Sequence, residues 1–196
     1  MISCVILAAG LSSRFGSPKP LASIQGTTVI EYLQNILINT KLREIIIVLG
    51  AYAEQIKPHI LNHRKISIVY NKDYNLGQTS SIKAGLLSVS KDSPGVMLLP
   101  VDYPAMRKET IDQLIDVFLT QRQFILIPTY QGKKGHPPIF PEKLIEMILR
   151  MDNSCGVNTL ARQNTVEVKY FEVNDPRILY SFNSPKELKG ITACLD

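Results

Sequence analysis

A loop rich in small residues, hydroxyls and cations follows the first apolar run of the chain. It reads LAAGLSSRFGSPKPL from Leu7 to Leu21. Glycines can adopt positive φ and let backbone N–H groups close on oxygens, serines add donors, and cations supply countercharge. The residues with this chemistry are Gly10, Gly16, Ser12, Ser13, Arg14 and Lys19. They predict a triphosphate-binding loop. An ordinary polar loop stays open, because the stretch matches neither the P-loop nor the GxGxxG pattern.

A single carboxylate, Asp102, follows another apolar run in the stretch LLPVDYP. Burying an isolated charge is costly unless it meets a cation. Mg²⁺ prefers a few protein oxygens together with phosphate oxygens and water, which Asp102 at the end of a strand could provide. The position therefore predicts a metal ligand, and the alternative is a cap for the helix that follows.

Polar side chains open a third candidate segment, GQTSSIKAGL, which starts at Gly77. Its apolar pattern predicts a helix that begins near Ser80, and free N–H groups at a helix start favour phosphate. Gln78 and Ser80 could also hydrogen-bond a base edge or a ribose. As the structural alternative, Thr79 or Ser80 would simply cap the helix.

A histidine stands between glycine and two prolines in the stretch GKKGHPPIFP. Because each proline restricts its own backbone and that of the preceding residue, His136 is presented with little conformational freedom. A lone histidine is more often structural, and recognition of a ligand is the functional reading.

These motifs together resemble the MobA-like NTP transferases and molybdenum cofactor cytidylyltransferases. The first loop is similar to their LAAGxSxRMGxxKxL signature, with Phe15 in place of methionine. Guanylyl-transferring members tend to show LAGG, so Ala9 favours the cytidylyl branch. The stretches from Gly77, Asp102 and His136 resemble the family's GxxxSLxxGL, LxDxP and GHPxxF motifs, in the same order along the chain.

The resemblance implies transfer of CMP from CTP to molybdopterin, with pyrophosphate released and Mg²⁺, or alternatively Mn²⁺, as cofactor. It implies nucleotide binding by Leu7, Ala8, Ala9, Gly10, Ser12, Ser13, Arg14, Lys19, Gln78 and Ser80. It implies acceptor binding by Ser81, Tyr103, His136 and Pro137, and metal binding by Asp102 and Asn183. Arg14, Lys19 and Asp102 form the expected catalytic set.

Two stretches depart from the family pattern. Residues 180–188 resemble the DIDTPED ending, but Ser181 and Asn183 replace its first two aspartates. An asparagine still offers a neutral carbonyl oxygen, so we expect coordination with one negative charge fewer and hence weaker or altered metal preference. Residues 152–160 diverge from the family's GDxGxRxLL stretch, which leaves the identity of the acceptor open.

Other functions remain to be distinguished. The nucleotide could be GTP or another NTP, and the acceptor could be a different phosphorylated small molecule. The chain could also be a non-catalytic cofactor-binding partner of a molybdenum hydroxylase. A nucleic-acid binder is disfavoured, because no basic helix or aromatic-interleaved basic stripe is present. We expect a monomer or a weak dimer.

The elements that must position these residues follow an alternating pattern. Apolar, β-branched runs predict strands at residues 3–7, 44–49, 67–70, 95–99, 124–128 and 166–172, buried on both faces. A helix is predicted by the apolar stripe Ile111, Leu114, Ile115, Phe118 and Leu119. Capping boxes at Thr28 with Glu31 and at Ser184 with Glu187 mark two more helix starts.

Strand and helix alternation predicts an α/β fold: a three-layer, mostly parallel twisted sheet with helices on both faces, of Rossmann-like nucleotidyltransferase type. In such sheets, binding loops gather at the carboxyl ends of the strands. We expect one domain over residues 1–196. Its nucleotide-binding part spans about 1–104 and its acceptor-binding part about 105–196.

Composition sets broader limits. The chain has 196 residues, 45% of them hydrophobic, and a net charge of +5 that suits an anionic partner. Its three cysteines form no CxxC pair, which argues against a disulfide framework or a zinc knuckle. No basic leader or membrane-length apolar window is present. We therefore expect a cytoplasmic protein.

Overall fold

The computed structural model describes residues 1–162 and 166–195. The strands are Ser3–Ala8 (β1), Ser23–Ile24 (β2), Thr27–Thr28 (β3), Glu44–Leu49 (β4), Ile66–Tyr70 (β5), Gly95–Pro100 (β6), Ile125–Tyr130 (β7), Lys133–Lys134 (β8), Ile139–Pro141 (β9) and Val168–Glu172 (β10). The helices are Val29–Leu37 (α1), Ala53–Ile56 (α2), Gln78–Leu86 (α3), Lys108–Thr120 (α4), Ile145–Arg150 (α5) and Pro185–Ala193 (α6).

The main sheet runs in the order β10-β7-β9-β6-β1-β4-β5, with β8 paired to β7. Each of the six predicted runs forms a strand of this sheet, displaced by at most two residues at either end. β1 pairs in parallel with β4 and β6, β4 with β5, and β10 with β7. The predicted mostly parallel sheet is confirmed, and it brings the loops after β1 and β6 to the same edge.

Two short strands run against this direction: β8, which is antiparallel to β7, and β9. β9 lies between β6 and β7 and is antiparallel to both. It was not predicted, because it has only three residues and follows two prolines, so no periodic pattern marks it. Its insertion carries the loop that contains His136 past the end of β6.

The outer strands correct one expectation. β5 and β10 lie at the two edges of the sheet, and much of each strand is only partly buried. The prediction that every strand is buried on both faces is therefore wrong for these two, since an edge strand lacks a neighbour on one side.

Helices cover both faces of the sheet, as predicted for a three-layer fold. Side chains of α1, α2, α4 and α6 join one buried apolar cluster with the sheet. Side chains of α3 and α5 join a second cluster on the opposite face. The predicted stripe of α4 faces the first cluster, with Leu119 only partly buried.

The helix starts agree with the sequence in two cases and differ in one. Both predicted capping boxes are formed, at Thr28 before α1 and at Ser184 before α6. α3 starts at Gln78, before the predicted position, with Gly77 as its cap at φ 101°. Neither Thr79 nor Ser80 is the cap, because the glycine backbone makes the turn directly.

The three cysteines are free, as expected, with Cys4 buried and the other two exposed. Across residues 1–162 and 166–195, no helix has the length and apolar character needed to cross a membrane.

Close packing of α3 on the sheet depends on Gly85. A Cβ atom at this position would lie 2.4 Å from Cγ1 of Val5 in β1 and 3.0 Å from Cγ2 of Val48 in β4. Real Cβ contacts of 2.4 Å do not occur, so any side chain would push α3 away from the sheet.

Gly85→Ala should therefore lower the free energy of unfolding by about 1–3 kcal/mol, because overpacking outweighs the better helix propensity of alanine. Gly190→Ala in α6 is the matched control, since its Cβ would meet no atom within 4 Å. Urea denaturation followed by circular dichroism measures both. Equal stability of the two variants would contradict the packing argument.

Candidate active site

The loop after β1 forms one side of a cavity at the carboxyl edge of the sheet. The carbonyl of Ser12 accepts hydrogen bonds from the N–H groups of Phe15 and Gly16, at 2.9 and 3.1 Å. Its hydroxyl accepts from the N–H of Lys19 at 3.1 Å. Ser12 holds φ 51° and Gly16 φ 82°, so the loop folds back on itself and brings Lys19 beside the end of β1.

The cavity has a volume of about 300 Å³. Its lining includes nearly all the residues predicted for nucleotide binding: Leu7, Ala8, Ala9, Gly10, Ser12, Ser13, Arg14, Lys19 and Gln78. Asp102 lines the same cavity, as does Ser81, which the sequence assigned to the acceptor. Arg14 and Ser13 are exposed and available to a ligand. Backbone donors, hydroxyls and two cations thus face one space.

Lys19 forms hydrogen bonds with both predicted metal ligands, Asp102 and Asn183. Its Nζ donates to Oδ2 of Asp102 and to Oδ1 of Asn183, both at 3.0 Å. Asp102 follows β6 and Asn183 precedes α6, so residues more than 80 positions apart in sequence meet at one ammonium. The side chain of Lys19 is 11% exposed and that of Asp102 26% exposed. The ion pair is accessible from the cavity yet largely shielded from water.

Phe182 fixes the geometry of this cluster. Its N–H donates to the carbonyl of Asp102 at 3.1 Å, which ties the loop after β6 to the segment before α6. Its ring is fully buried, makes an edge contact with Phe15 at 5.4 Å between centroids, and lies 5.4 Å from Nζ of Lys19. A buried aromatic anchor therefore aligns the residues on either side of it.

The backbone around Asn183 is held from the other side by α6. Glu187 accepts hydrogen bonds from the N–H groups of Asn183 and Ser184 as part of the capping box. These backbone hydrogen bonds, aided by the nearby charge of Lys19, lower the pKa of Glu187. The carboxylate thus stays ionised and keeps Asn183 in place, an ordering role that the sequence motif alone did not specify.

Two oxygens at this point fit a hard divalent ion. Oδ2 of Asp102 and Oδ1 of Asn183 already converge on a cation, the ammonium of Lys19. No group of three or more His, Cys, Asp or Glu side chains suited to a metal occurs in the part of the chain that the structure describes. The protein would therefore supply few oxygens, as is usual for Mg²⁺ sites completed by phosphate and water.

Of the two residues at the start of α3 that were predicted to bind nucleotide, one lines the cavity and the other does not. Gln78 is exposed and lines the cavity, whereas Ser80 is buried and outside its lining. The hydroxyl of Ser80 donates to the carbonyls of Asp73 and Gly77, each at 2.8 Å, and accepts from Nδ2 of Asn71 at 2.9 Å. The structure thus gives Ser80 partners within the protein and does not bring it to the predicted nucleotide position.

Two residues near this cavity carry no motif: Tyr74, which lines it, and Gly50, which packs between Tyr74 and Ala9. A Cβ at Gly50 would lie 2.6 Å from the carbonyl oxygen of Ala9 and 2.8 Å from Cβ of Tyr74. Tyr74 lines the cavity. Only a glycine at position 50 lets the chain after β4 pass between Ala9 and Tyr74. The sequence signal was the glycine directly after an apolar run, which is too common to be informative.

A second cavity of about 380 Å³ adjoins the first and shares Leu7, Gln78 and Pro100 with it. Tyr103 and His136, which the sequence assigned to acceptor binding, both line it, whereas Pro137 does not and Pro138 does. Its walls are mainly apolar: Ile82, Leu98, Ile125, Ile127, Phe140 and Val157.

The divergent stretch 152–160 contributes to this second cavity. Gly156, Val157 and Asn158 line it. Thr79 in α3 donates to the carbonyl of Cys155 at 2.6 Å, which fixes the stretch over the helix start. The part of the sequence that departs most from the family pattern therefore borders the space where an acceptor would lie.

His136 is held in a neutral state. Its ring lies 4.0 Å from that of Tyr103 between centroids, tilted by 33°, and the backbone N–H of His136 donates to the carbonyl of Ile178 at 2.9 Å. Burial lowers the pKa of His136 from 6.5 to about 4, although the charge of Asp102 acts in the opposite direction. Nδ1 is buried and has no hydrogen-bond partner among residues 1–162 and 166–195. The imidazole is thus a neutral hydrogen-bonding group at pH 7.

Comparison with known proteins gives a consistent result. The sequence profile of the MobA-like NTP transferase domain matches residues 4–168. The chain is 26% identical over 189 residues to the molybdenum cofactor cytidylyltransferase of Escherichia coli (strain K12), covering 95% of this chain and 93% of the relative. It is 28% identical over 130 residues to a protein of Bacillus cereus (strain AH187) named "Probable molybdenum cofactor guanylyltransferase", covering 66% and 62% of the two chains.

Among solved structures, Rv0371c from Mycobacterium tuberculosis H37Rv superposes with a TM-score of 0.85 at 23% identity, over 98% of both chains. A structure of the same protein in complex with manganese superposes with a TM-score of 0.81 at 22% identity, again over 98% of both chains. At these identities the likeness establishes the fold.

The depressed pKa of His136 has a consequence for stability. Because this pKa is about 4 in the folded chain and near 6.5 when unfolded, the unfolded state binds more protons between these values. The contribution of neutral His136 to the free energy of unfolding is therefore fully present above pH 6.5 and is lost as the pH falls towards 4. This contribution is at most about 3 kcal/mol.

His136→Gln should remove this dependence, so the difference in unfolding free energy between wild type and variant should shrink from pH 7 to pH 4. Urea denaturation at several pH values measures that difference, in which the titration of the carboxylates common to both proteins cancels. Parallel curves across this range would contradict a buried, neutral His136.

Proposed function

Because the chain belongs to the MobA-like NTP transferase family, we propose that it is a molybdenum cofactor cytidylyltransferase. In this proposal it transfers CMP from CTP to the phosphate of a molybdopterin-type acceptor and releases pyrophosphate. The alignment with the E. coli cytidylyltransferase over 95% of the chain supports this substrate pair. So does Ala9 at the position where guanylyl-transferring members tend to carry glycine.

One observation carries the proposal: neighbouring residues open onto two adjoining cavities. Asp102 lines the first, which has the character of a phosphate site, and Tyr103 lines the second, which has apolar walls and a neutral histidine. A transferase must hold a donor and an acceptor so that their reacting atoms meet. The boundary between the two cavities, beside Asp102, is the place where transfer would occur.

On the donor side, the chain mainly positions the triphosphate and neutralises its charge. The acceptor phosphate attacks the α-phosphorus in line, and pyrophosphate leaves with the bonding electron pair. Arg14, Lys19 and the N–H groups of the loop after β1 are placed to stabilise charge on the leaving phosphates. A divalent ion held by Asp102 and Asn183 would neutralise charge at the reacting phosphate.

On the acceptor side, binding relies on shape and hydrogen bonds. Apolar walls suit the faces of a ring system, and His136 adds a neutral polar side chain to the lining. Lys134 at the rim provides a positive charge for an anionic group. No general base is required, because the attacking phosphate is ionised at neutral pH.

Transfer from GTP is a specific second candidate, because the Bacillus relative carries the guanylyltransferase name. A non-catalytic cofactor-binding role differs from both, since it predicts binding without pyrophosphate release. Manganese is worth testing beside magnesium, given the neutral ligand at Asn183 and the manganese complex of the similar M. tuberculosis protein.

The substrate test is pyrophosphate release from each of four NTPs, with and without molybdenum cofactor, in Mg²⁺ and in Mn²⁺. We expect release to require the acceptor and to be fastest with CTP, with each other nucleotide at least about tenfold slower. Faster release from GTP would establish the guanylyl alternative. Acceptor binding without release from any nucleotide would establish the non-catalytic role.

Asp102→Ala should lower pyrophosphate release by at least about 100-fold, because charge on the reacting phosphate would lose its counterion. Asp92→Ala is the matched control: Asp92 is an exposed carboxylate before β6, at the opposite end of that strand. Thermal denaturation checks that both variants fold. Near wild-type release by the Asp102 variant would remove this residue from the mechanism.

A further inference from the structure

Lys19 has a conflict of roles within the proposed site. Its ammonium lies 3.0 Å from both oxygens that would bind a divalent ion. The same residue lines the cavity beside Ser12, Ser13 and Arg14, where it would face a triphosphate. One ammonium cannot neutralise Asp102 and the phosphates fully at the same time, so its position must depend on what is bound.

Charge balance makes the two positions exclusive. Of the two proposed metal ligands, Asp102 contributes one negative charge and Asn183 none, so the ammonium balances the pair, while the nearby Glu187 carboxylate is engaged with the N–H groups of Asn183 and Ser184. A divalent ion that entered beside the ammonium would meet a positive charge a few ångströms away in a partly shielded site, where such repulsion is strong. The neutral Asn183 sharpens this competition, because a second carboxylate would have attracted both cations.

Rotation of the lysine side chain is sufficient for the exchange. The backbone of Lys19 is anchored by Ser12, and its carbonyl accepts the N–H of Ala22 at 3.1 Å in the short helical turn that follows. The long side chain can rotate from this fixed base towards the loop after β1. The triphosphate offers the ammonium more negative charge than Asp102 does, so bound nucleotide would draw it away.

We propose that Lys19 is an exchangeable counter-cation that orders substrate binding: it occupies the metal ligands until a triphosphate takes it, and the divalent ion then binds Asp102 and Asn183. This inference rests on the proposed function for the identity of the triphosphate site. It assigns Lys19 a second action, exclusion of free metal, in addition to phosphate binding. By linkage, nucleotide and metal favour each other at this site.

The alternative is a static ion pair that holds the loop after β1 against the segment before α6. In either role, removal of Lys19 takes a positive charge away from the metal ligands, so tighter metal binding by itself fits both. The two roles differ in coupling: only an ammonium that leaves for the triphosphate makes bound nucleotide tighten metal binding through Lys19.

The experiment measures two affinities in each protein without acceptor. Mn²⁺ binding without nucleotide is followed by electron paramagnetic resonance, and CTP binding in EDTA is followed by calorimetry. Lys19→Met is the main variant and Lys19→Gln the second, in case the first does not fold. Lys91→Met is the matched control, because Lys91 is exposed and precedes β6 at the opposite end of the strand from Asp102.

We expect Lys19→Met and Lys19→Gln to bind Mn²⁺ about tenfold more tightly than wild type and CTP about tenfold more weakly, consistent with loss of one nearby unit charge. Lys91→Met should match wild type in both affinities. A third measurement, the Mn²⁺ affinity of each protein with saturating CTP, separates exchange from a static ion pair. Exchange predicts that CTP tightens Mn²⁺ binding more in wild type than in Lys19→Met, whereas a static ion pair predicts equal tightening in the two proteins. Unchanged or weaker Mn²⁺ binding by the folded Lys19 variants would overturn the proposal.

Asp102→Asn separates this inference from the proposed function. In the Lys19→Met background it should abolish the gain in Mn²⁺ affinity. If the gain persists, the ammonium does not compete at Asp102 and the inference fails. If the gain depends on Asp102 but wild type releases no pyrophosphate with any nucleotide, the cation exchange stands and the proposed transferase activity fails.

Discussion

The contact of Lys19 with Asp102 and Asn183 is the interaction on which the arrangement of the site depends. It joins the loop after β1, the loop after β6 and the segment before α6 at one ammonium. Phe182 stabilises this contact, because its N–H donates to the carbonyl of Asp102 and its buried ring packs beside Lys19. A charged cluster in a partly shielded position is stable only while its charges balance. On the proposal that Lys19 is exchangeable, a ligand that changes this balance would move the ammonium and so couple phosphate to metal at this point.

The two cavities divide the chemistry between charge and shape. The first is bordered by cations, hydroxyls and backbone donors. The second is largely apolar, with His136 kept neutral by burial. They share Leu7, Gln78 and Pro100, and the consecutive residues Asp102 and Tyr103 line one cavity each. A donor in the first cavity and an acceptor in the second would therefore lie next to each other. The stretch 152–160, which departs from the family pattern, lines the second of these two cavities and not the first, in the part of the chain that the structure describes. Divergence in this region is thus compatible with a retained donor site and a specialised acceptor.

Packing constraints extend from the site into the fold. Gly85 lets α3 approach β1 and β4, and Gly50 lets the end of β4 pass between Ala9 and Tyr74. The first allows close packing of α3 on the sheet, and the second allows the chain after β4 to pass close to the loop after β1. Neither glycine contributes a functional group. Both act through the absence of a side chain, at positions where the backbone of one element meets another.

The sequence by itself determined the features that depend on neighbours within a few positions. Strand and helix periodicity identified the parallel strands, local hydrogen-bonding patterns identified the capping boxes at Thr28 and Ser184, and clustered donors identified the loop after β1. Tertiary structure alone decided which distant residues meet: β9 entered the sheet against its direction, Ser80 was buried, and Lys19 bridged Asp102 and Asn183. The reason is physical. Local patterns reflect backbone geometry and short-range hydrogen bonds, whereas these contacts arise from the packing of segments far apart in the chain, whose energies no local pattern contains.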